Sequence, residues 1–422
     1  MSLSPAAPAR SSLFTPILIG GSIILLINFA IRASFGVFQI PIASEFGWPR
    51  TDFSLAIAIQ NLAWGIGQPI FGALAEKWGD RWAIILGALL YALGLAMSSF
   101  AVTPGAMQFW EIAVGFGIAG TGFGVILAIV GRAASDENRS LVLGIATAAG
   151  SAGQVVGAPL AEALLGHMHW QGVFMVFAGL ALCTMLFLPL LGNTKPAPKS
   201  ELEASFGEVL KRAFSDPSYL MIFAGFFSCG YQLGFITAHF PAMVTEMCGP
   251  IAPGSMLAAI GIDSTSKLGA VAISLIGLAN IGGSILAGYL GKRYPKKYLL
   301  AGVYTLRTIA SAVFILGPIT PGSVLIFSLV MGALWLATVP LTSGLVAYIY
   351  GLRYMGTLYG FVFLSHQVGS FMGVWLGGKL YDYYHNYTMV WWVGVGIGAF
   401  SALIHLPVVE RPRNMNATQR TV

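Results

Sequence analysis

Apolar stretches long enough to cross the roughly 30 Å hydrocarbon core of a bilayer recur along almost the whole sequence, at 15–41, 53–75, 82–101, 106–131, 140–165, 171–191, 218–245, 268–291, 297–318, 323–349, 356–380 and 388–408. A chain so patterned has to meet lipid. Away from water each span must close its own backbone hydrogen bonds, and segments of this length do so as helices. Only 9% of the 422 residues are charged and the mean hydropathy is +0.78, too little polar material for a soluble surface. The expectation is an all-α polytopic membrane protein with twelve transmembrane helices, both termini on one side.

The net charge of +6 and the pI near 9.2 resemble a nucleic-acid signal until the charges are placed. Of the 22 basic residues, Arg50, Lys267 and Lys379 fall in loops on one side and Arg32 and Arg307 inside spans, leaving seventeen in the loops and tails of the other. The positive-inside rule makes that richer side the cytoplasm. The expected location is the cytoplasmic (inner) membrane, multi-pass with cytoplasmic termini, and the basic pI needs no nucleic acid. Cys183, Cys229 and Cys248 show neither metal nor redox spacing. No metal motif, phosphate loop or nucleophile-and-base set appears, so no enzyme, metal or cofactor is expected.

A shift of 216 positions superposes Gly72–Arg81 on Gly288–Lys297, and pairs Gly144 with Gly360, Gly153 with Gly369 and Gly157 with Gly373. One offset serving two regions implies parallel repeats. The expected organisation is a six-helix bundle at 1–192, a polar cytoplasmic linker at 193–217 and a second, pseudo-symmetric six-helix bundle at 218–422.

Gly72-x-Leu74-x-x-Lys77-x-Gly79-x-Arg81, with Glu76 where an Asp is usual, resembles the signature loop of the major facilitator superfamily. Gly150-x-x-Gly153-x-x-x-Gly157-x-Pro159 resembles a second signature of that superfamily. The resemblance implies the major facilitator fold and alternating access, with Glu76, Lys77, Arg81, Gly150, Gly153 and Gly157 in gating. Cations and a carboxylate between helix ends can lock two bundles, and small residues at this spacing let helices approach closely. Topology and packing alone account for either motif equally well. Phe35–Pro41 with Phe46-Gly47-Trp48, Cys229–Pro241, Asn280–Ser284 and Tyr359–Gln367 are similar to bacterial relatives of the monocarboxylate transporters and oxalate:formate exchangers. Ser284 stands where such relatives carry an Arg, Asn280 where some carry an Asp, and His366 where oxalate exchangers carry a Lys. An anionic substrate stays in keeping with these exchanges.

An ionisable group at mid-bilayer costs about 2.5–3.5 kcal/mol on insertion scales, so each needs a partner, a wet cavity or a task. Arg32 lies with Asn28, Phe35 and Gln39 at i, i+4, i+7 and i+11, the spacing of one helix face, and no Asp or Glu sits at matching depth; as a guanidinium it suits a carboxylate. For Arg307, pairing with backbone carbonyls or Asn280 competes with substrate contact. His366, beside Gln367, is the first candidate for proton coupling and His239 the second. Tyr231 and Gln232 complete the candidate substrate set, and Pro241 predicts a helix break near the outer mouth. Glu111 and Glu162 are expected to be shallow. The reading is a monomeric secondary transporter that moves a small organic anion, a monocarboxylate before others, with a proton, its apolar part resting on Phe35 or Trp335. The competing reading is multidrug or hydrophobic-compound efflux.

Overall fold

A computed structural model describes residues 14–134, 139–192 and 206–413, without the side chains at 76–77, 139–141, 206 and 352–357. Each apolar segment coincides with one helix or with helical pieces in tandem. In the first half these are α1 (Pro16–Phe46), α2 (Arg50–Trp78), α3 (Asp80–Ser99), α4 (Pro104–Ala133), α5 (Arg139–Leu165) and α6 (Trp170–Leu191). In the second they are α7 (Pro217–Met247), α8 (Thr265–Leu290), α9 (Lys296–Leu316), α10 (Pro321–Tyr350), α11 (Leu352–Tyr384) and α12 (Thr388–His405). A short helix, Phe206–Phe214, occupies the described part of the expected linker, and residues 193–205 lie outside the described residues. No strand occurs among the described residues.

Among the described residues, ten helical segments are both long and apolar enough to cross a membrane. The other two, α2 and α11, have 29 and 33 residues but a more polar composition, with Gln60, Asn61 and Gln68 on one and Ser365, His366, Gln367 and Ser370 on the other. These two pack along each other, which sets Gln367 of α11 against Gly65 of α2 in a seam inside the protein, while Gln60 turns to Glu111 of α4 and Ser365 to the Phe223 carbonyl of α7.

Local chemistry sets the starts. The side chains of Thr15, Thr103, Asp216 and Thr320 accept backbone N–H groups of the first turns of α1, α4, α7 and α10, and a proline follows each. Such caps satisfy donors that have no intrahelical partner. The breaks are equally local. α1 halts at Ala33, where the Ser34 hydroxyl donates to the Ile31 carbonyl at 2.6 Å, and resumes at Gln39 after a tight turn over Phe35–Phe38. α4 breaks at Gly122 and α10 between Leu334 and Thr338.

The break expected at Pro241 is absent, for α7 runs unbroken to Met247. Proline removes one backbone bond, the one that would reach the Thr237 carbonyl four residues earlier. Gly36 of α1 backs directly onto that carbonyl, where a Cβ would not fit.

Two hydrophobic cores result, one built from α1–α6 and the other from the short helix and α7–α12. They exchange residues at the seam: Ala33, Val37 and Ala158 belong to the second core, Ala238 and Val374 to the first. In the first half Gly153 and Gly157 of α5 press on the Leu26 and Ala30 carbonyls of α1, while Gly150 meets Phe123 and Phe29. In the second half Gly369 and Gly373 of α11 press on the Phe227 and Tyr231 carbonyls of α7 in the same manner. These glycines therefore fasten helices within one half.

Candidate functional site

α1 delivers Arg32 half-buried to the seam, just before the helix breaks. Its Nη2 stands 3.4 Å from Asn61 Oδ1, and its guanidinium carbon 4.7 Å from the Trp64 ring centre and 6.0 Å from that of Phe29. No carboxylate pairs with it among the described residues. A guanidinium over an indole face is stabilised by the ring quadrupole, but its charge stays uncompensated.

Trp64 links this group to the second half, its ring 5.3 Å edge-on from Phe363 of α11. One residue along, Gly65 sits against the Gln367 side chain. Gln367 is fully buried, and neither its amide oxygen nor its amide nitrogen makes a hydrogen bond among the described residues. His366 Nδ1 and the Ser370 hydroxyl are likewise buried without a partner. The His366 ring lies parallel to Phe363 at 5.7 Å and 5.0 Å from Phe226. Buried polar atoms are nearly always hydrogen-bonded, so this cluster one step from Arg32 stands out.

The other expected residues are engaged elsewhere. Asn28 donates to Thr121 Oγ1 at 2.6 Å and ties α1 to α4. The single polar stripe expected from Asn28 to Gln39 does not form, because the turn at Phe35–Phe38 rotates the continuation of α1. Phe35 lies edge-on to Phe174 of α6 at 6.0 Å, so the aromatic walls beside Arg32 are Trp64 and Phe29 instead. Tyr231 is buried with its ring toward Gly394 of α12, and Gln232 donates to the Gly394 carbonyl at 3.4 Å.

Arg307 is 0% exposed and donates to the Leu334 carbonyl at 2.6 and 3.0 Å and to the Trp335 carbonyl, with Cys229 Sγ 3.5 Å away. Substrate contact gives way here to carbonyl capping, since the break in α10 frees acceptors that need a donor. Asn280 works at the same break: it accepts from the Leu336 N–H at 2.9 Å and donates to Ser151 Oγ at 3.1 Å in the other half.

Gln39 and His239 meet across the seam. Gln39 Nε2 lies 3.0 Å from His239 Nδ1 and 3.2 Å from Ser54 Oγ, and the Tyr387 hydroxyl donates to its Oε1 at 3.3 Å. His239 Nε2 stands 2.7 Å from the Val374 carbonyl, which can only accept, so Nε2 carries the proton and Nδ1 accepts from Gln39. Both ring nitrogens of His239 therefore have partners.

Above it, toward the ends where α2 begins and α11 stops, Asp382 accepts from the backbone N–H groups of Arg50 at 2.8 Å and Thr51 at 2.7 Å and from the Thr51 hydroxyl. The Arg50 guanidinium pairs with Glu246 of α7 and lies 5.1 Å over Tyr381. A carboxylate on a helix N-terminus joins hydrogen bonds to a favourable dipole. Sequence reading missed this latch, whose partners are 196 to 332 residues apart, although Arg50 is one of few cations on its side. At a second contact Ser266 donates to Glu162 at 2.6 Å and Ser274 to the Val155 carbonyl at 2.5 Å.

Of the expected gating loop, the side chains of Glu76 and Lys77 lie outside the described residues and Arg81 is exposed. Gly79 turns the chain at φ +98°, a conformation that favours glycine. Beside it both Asp80 carboxylate oxygens accept from Arg132 at 2.7 Å, joining α3 to the end of α4.

Glu111 is not shallow. It is 0% exposed, accepting from Gln60 at 2.7 Å and Ser98 at 3.2 Å. It lies eight residues into α4, and α2 and α3 cover it.

Two helical cores that meet along α2 and α11, with a charged group at that seam and a latch at one end, fit a membrane carrier. The family model of the Major Facilitator Superfamily matches residues 21–374 and 235–421, and the chain belongs to that superfamily. It is 25% identical over 405 residues to the uncharacterised MFS-type transporter YcxA of Bacillus subtilis (strain 168), covering 90% of this chain and 92% of that protein. It is 25% identical over 374 residues to monocarboxylate transporter 13 of Bos taurus, covering 85% and 81%. Among solved structures it is similar to the nucleoside transporter NupG, with a TM-score of 0.73, 16% identity and coverage of 93% and 98%.

Proposed function

We propose that this transporter moves a small organic anion, a monocarboxylate before others, together with a proton across the cytoplasmic membrane, with its basic loops and termini in the cytoplasm and the monomer as working unit. The observation that carries this reading is Arg32, a half-buried cation with aromatic and amide neighbours and no carboxylate mate among the described residues. A carboxylate there replaces lost hydration with a charge-assisted contact. Gln367 and Ser370 of α11 offer unmated polar atoms to the rest of the guest, and Trp64 and Phe363 an apolar wall. The likeness to a protein named as a monocarboxylate transporter points the same way.

Alternating access is the rocking of the 1–192 bundle against the 218–422 bundle about that site, joined by the 193–217 linker. The latch of Arg50, Asp382 and Glu246 is the outer gate, closed in this conformer. The loop carrying Glu76, Lys77 and Arg81 is the inner one. Binding must favour one state over another to drive the change, and neutralising Arg32 supplies that difference. His366, with a free ring nitrogen near the same seam, is the proton carrier, and His239 couples proton occupancy to the outer gate.

A thermal-shift screen of the purified protein against mono- and dicarboxylates at two pH values tests the substrate class. Monocarboxylates are expected to raise the melting temperature, more so in acid, because a ligand of the folded state adds to its stability. Stabilisation by hydrophobic cations alone would favour efflux instead. Uptake of labelled anion indifferent to an imposed pH gradient would refute proton symport.

A further inference from the structure

At the end of the second half where α8 passes into α9, a cavity of about 770 Å³ is lined by Lys292, Arg293, Tyr294, Lys296, Tyr348 and Arg411 among others. One acidic side chain lines it, Glu410, and its carboxylate is already committed. It accepts the backbone N–H groups of Lys296 and Lys297 at 3.1 and 3.2 Å, with Lys296 Nζ at 3.6 Å. Lys292, Arg293 and Arg411 are exposed and have no carboxylate partner among the described residues. The cavity therefore holds a surplus of positive charge.

Its rim is aromatic. Tyr289, Tyr294, Tyr298 and Tyr348 are each about half exposed, and Arg293, Lys296 and Lys297 lie 4.6, 5.3 and 4.9 Å over the rings of Tyr289, Tyr348 and Tyr298. Tyrosines at helix ends mark the headgroup level of a bilayer. One turn deeper on α8, Leu286 and Ile285 are exposed, and deeper on α9 so are Leu306 and Ile309.

We propose that this cavity binds the phosphodiester headgroup of an anionic phospholipid, whose acyl chains lie on the exposed flanks of α8 and α9. Cations over a tyrosine rim hold the phosphate, as basic pockets at the membrane face do. The apolar lane below selects a lipid over a soluble phosphate, which would leave that lane unused. The site is remote from Arg32 and does not depend on the transported substrate.

The test uses the full-length protein in micelles of phosphatidylcholine with a minority of phosphatidylglycerol, counting retained lipids by native mass spectrometry. Wild type is expected to retain phosphatidylglycerol over phosphatidylcholine by roughly tenfold or more, since each cation at an anionic surface contributes measurably. The Lys292→Gln/Arg293→Gln/Arg411→Gln variant should lose the preference. The charge-keeping Lys292→Arg/Arg293→Lys/Arg411→Lys variant should keep it, as should Lys267→Gln at the opposite end. An unchanged preference in the neutralised variant overturns the proposal. So does displacement of phosphatidylglycerol by inorganic phosphate at modest excess, which would assign the cavity to a soluble phosphate.

Discussion

Replacing Arg32 with Ala is expected to lower uptake of the labelled anion by roughly 100-fold or more, the scale set by losing one partner of a buried charge pair, about 3–5 kcal/mol. Arg32→Lys should retain a fraction, because a point charge remains but the planar fork that matches a carboxylate is gone. The same substitution should leave the empty protein at least as stable as wild type. Without a carboxylate mate, the guanidinium is a desolvation cost in the resting protein, offset in part by Trp64, Phe29 and Asn61. Transport assays in proteoliposomes, paired with melting curves, separate the alternatives. A variant that melts early and transports little would make Arg32 a structural group. One that folds well and keeps full anion uptake would end the role of Arg32 as the anion's partner.

The second large effect concerns the latch. Asp382→Asn removes a carboxylate that receives the Arg50 and Thr51 N–H groups at the start of α2. Hydrogen bonds to a charged group contribute about 1.5–3 kcal/mol each. Every 1.4 kcal/mol is a factor of ten, so the closed state should lose roughly ten- to a hundredfold of its population advantage. Ala238 is buried at the seam close by and reports the change. In an Ala238→Cys/Cys248→Ser background, a membrane-impermeant maleimide added from the latch side should react at least tenfold faster once Asp382→Asn is introduced. Equal labelling rates would mean that the latch does not hold the two halves together.

Most of the helices were legible because lipid imposes one solution on an apolar run of sufficient length. The breaks were harder. Gly122 advertises the one in α4, whereas sequence reading missed Ser34 and Gly36 as marks of a stop in α1, and the supposed stripe through Phe35 and Gln39 failed for that reason. Pro241 announced a break, but α7 runs through it, with Gly36 packed against the Thr237 carbonyl. Arg307 was ambiguous until the α10 break supplied carbonyls for it. Glu111 looked shallow because its position in α4 is visible in sequence and its cover from Gln60 and Ser98 is not. Arg32 was legible as a charge without a mate, but its approach to Trp64, and through it to Phe363 and Gln367, is tertiary.

Arg307 has a further consequence beyond capping the break in α10. Capped by carbonyls and not by an acid, it adds a fixed positive charge behind the seam, so the interior of the unloaded protein carries two cations, and under the proposed function a monoanion that enters with a proton leaves that net charge unchanged. Any part of that charge that shifts through the membrane field feels about 2.3 kcal/mol per unit charge per 100 mV. Under the proposed movement of anion with proton, the loaded and the substrate-free reorientations then share one electrical sensitivity, visible as a transient current after a voltage jump with or without anion present. If the anion entered without its proton, saturating anion would suppress it.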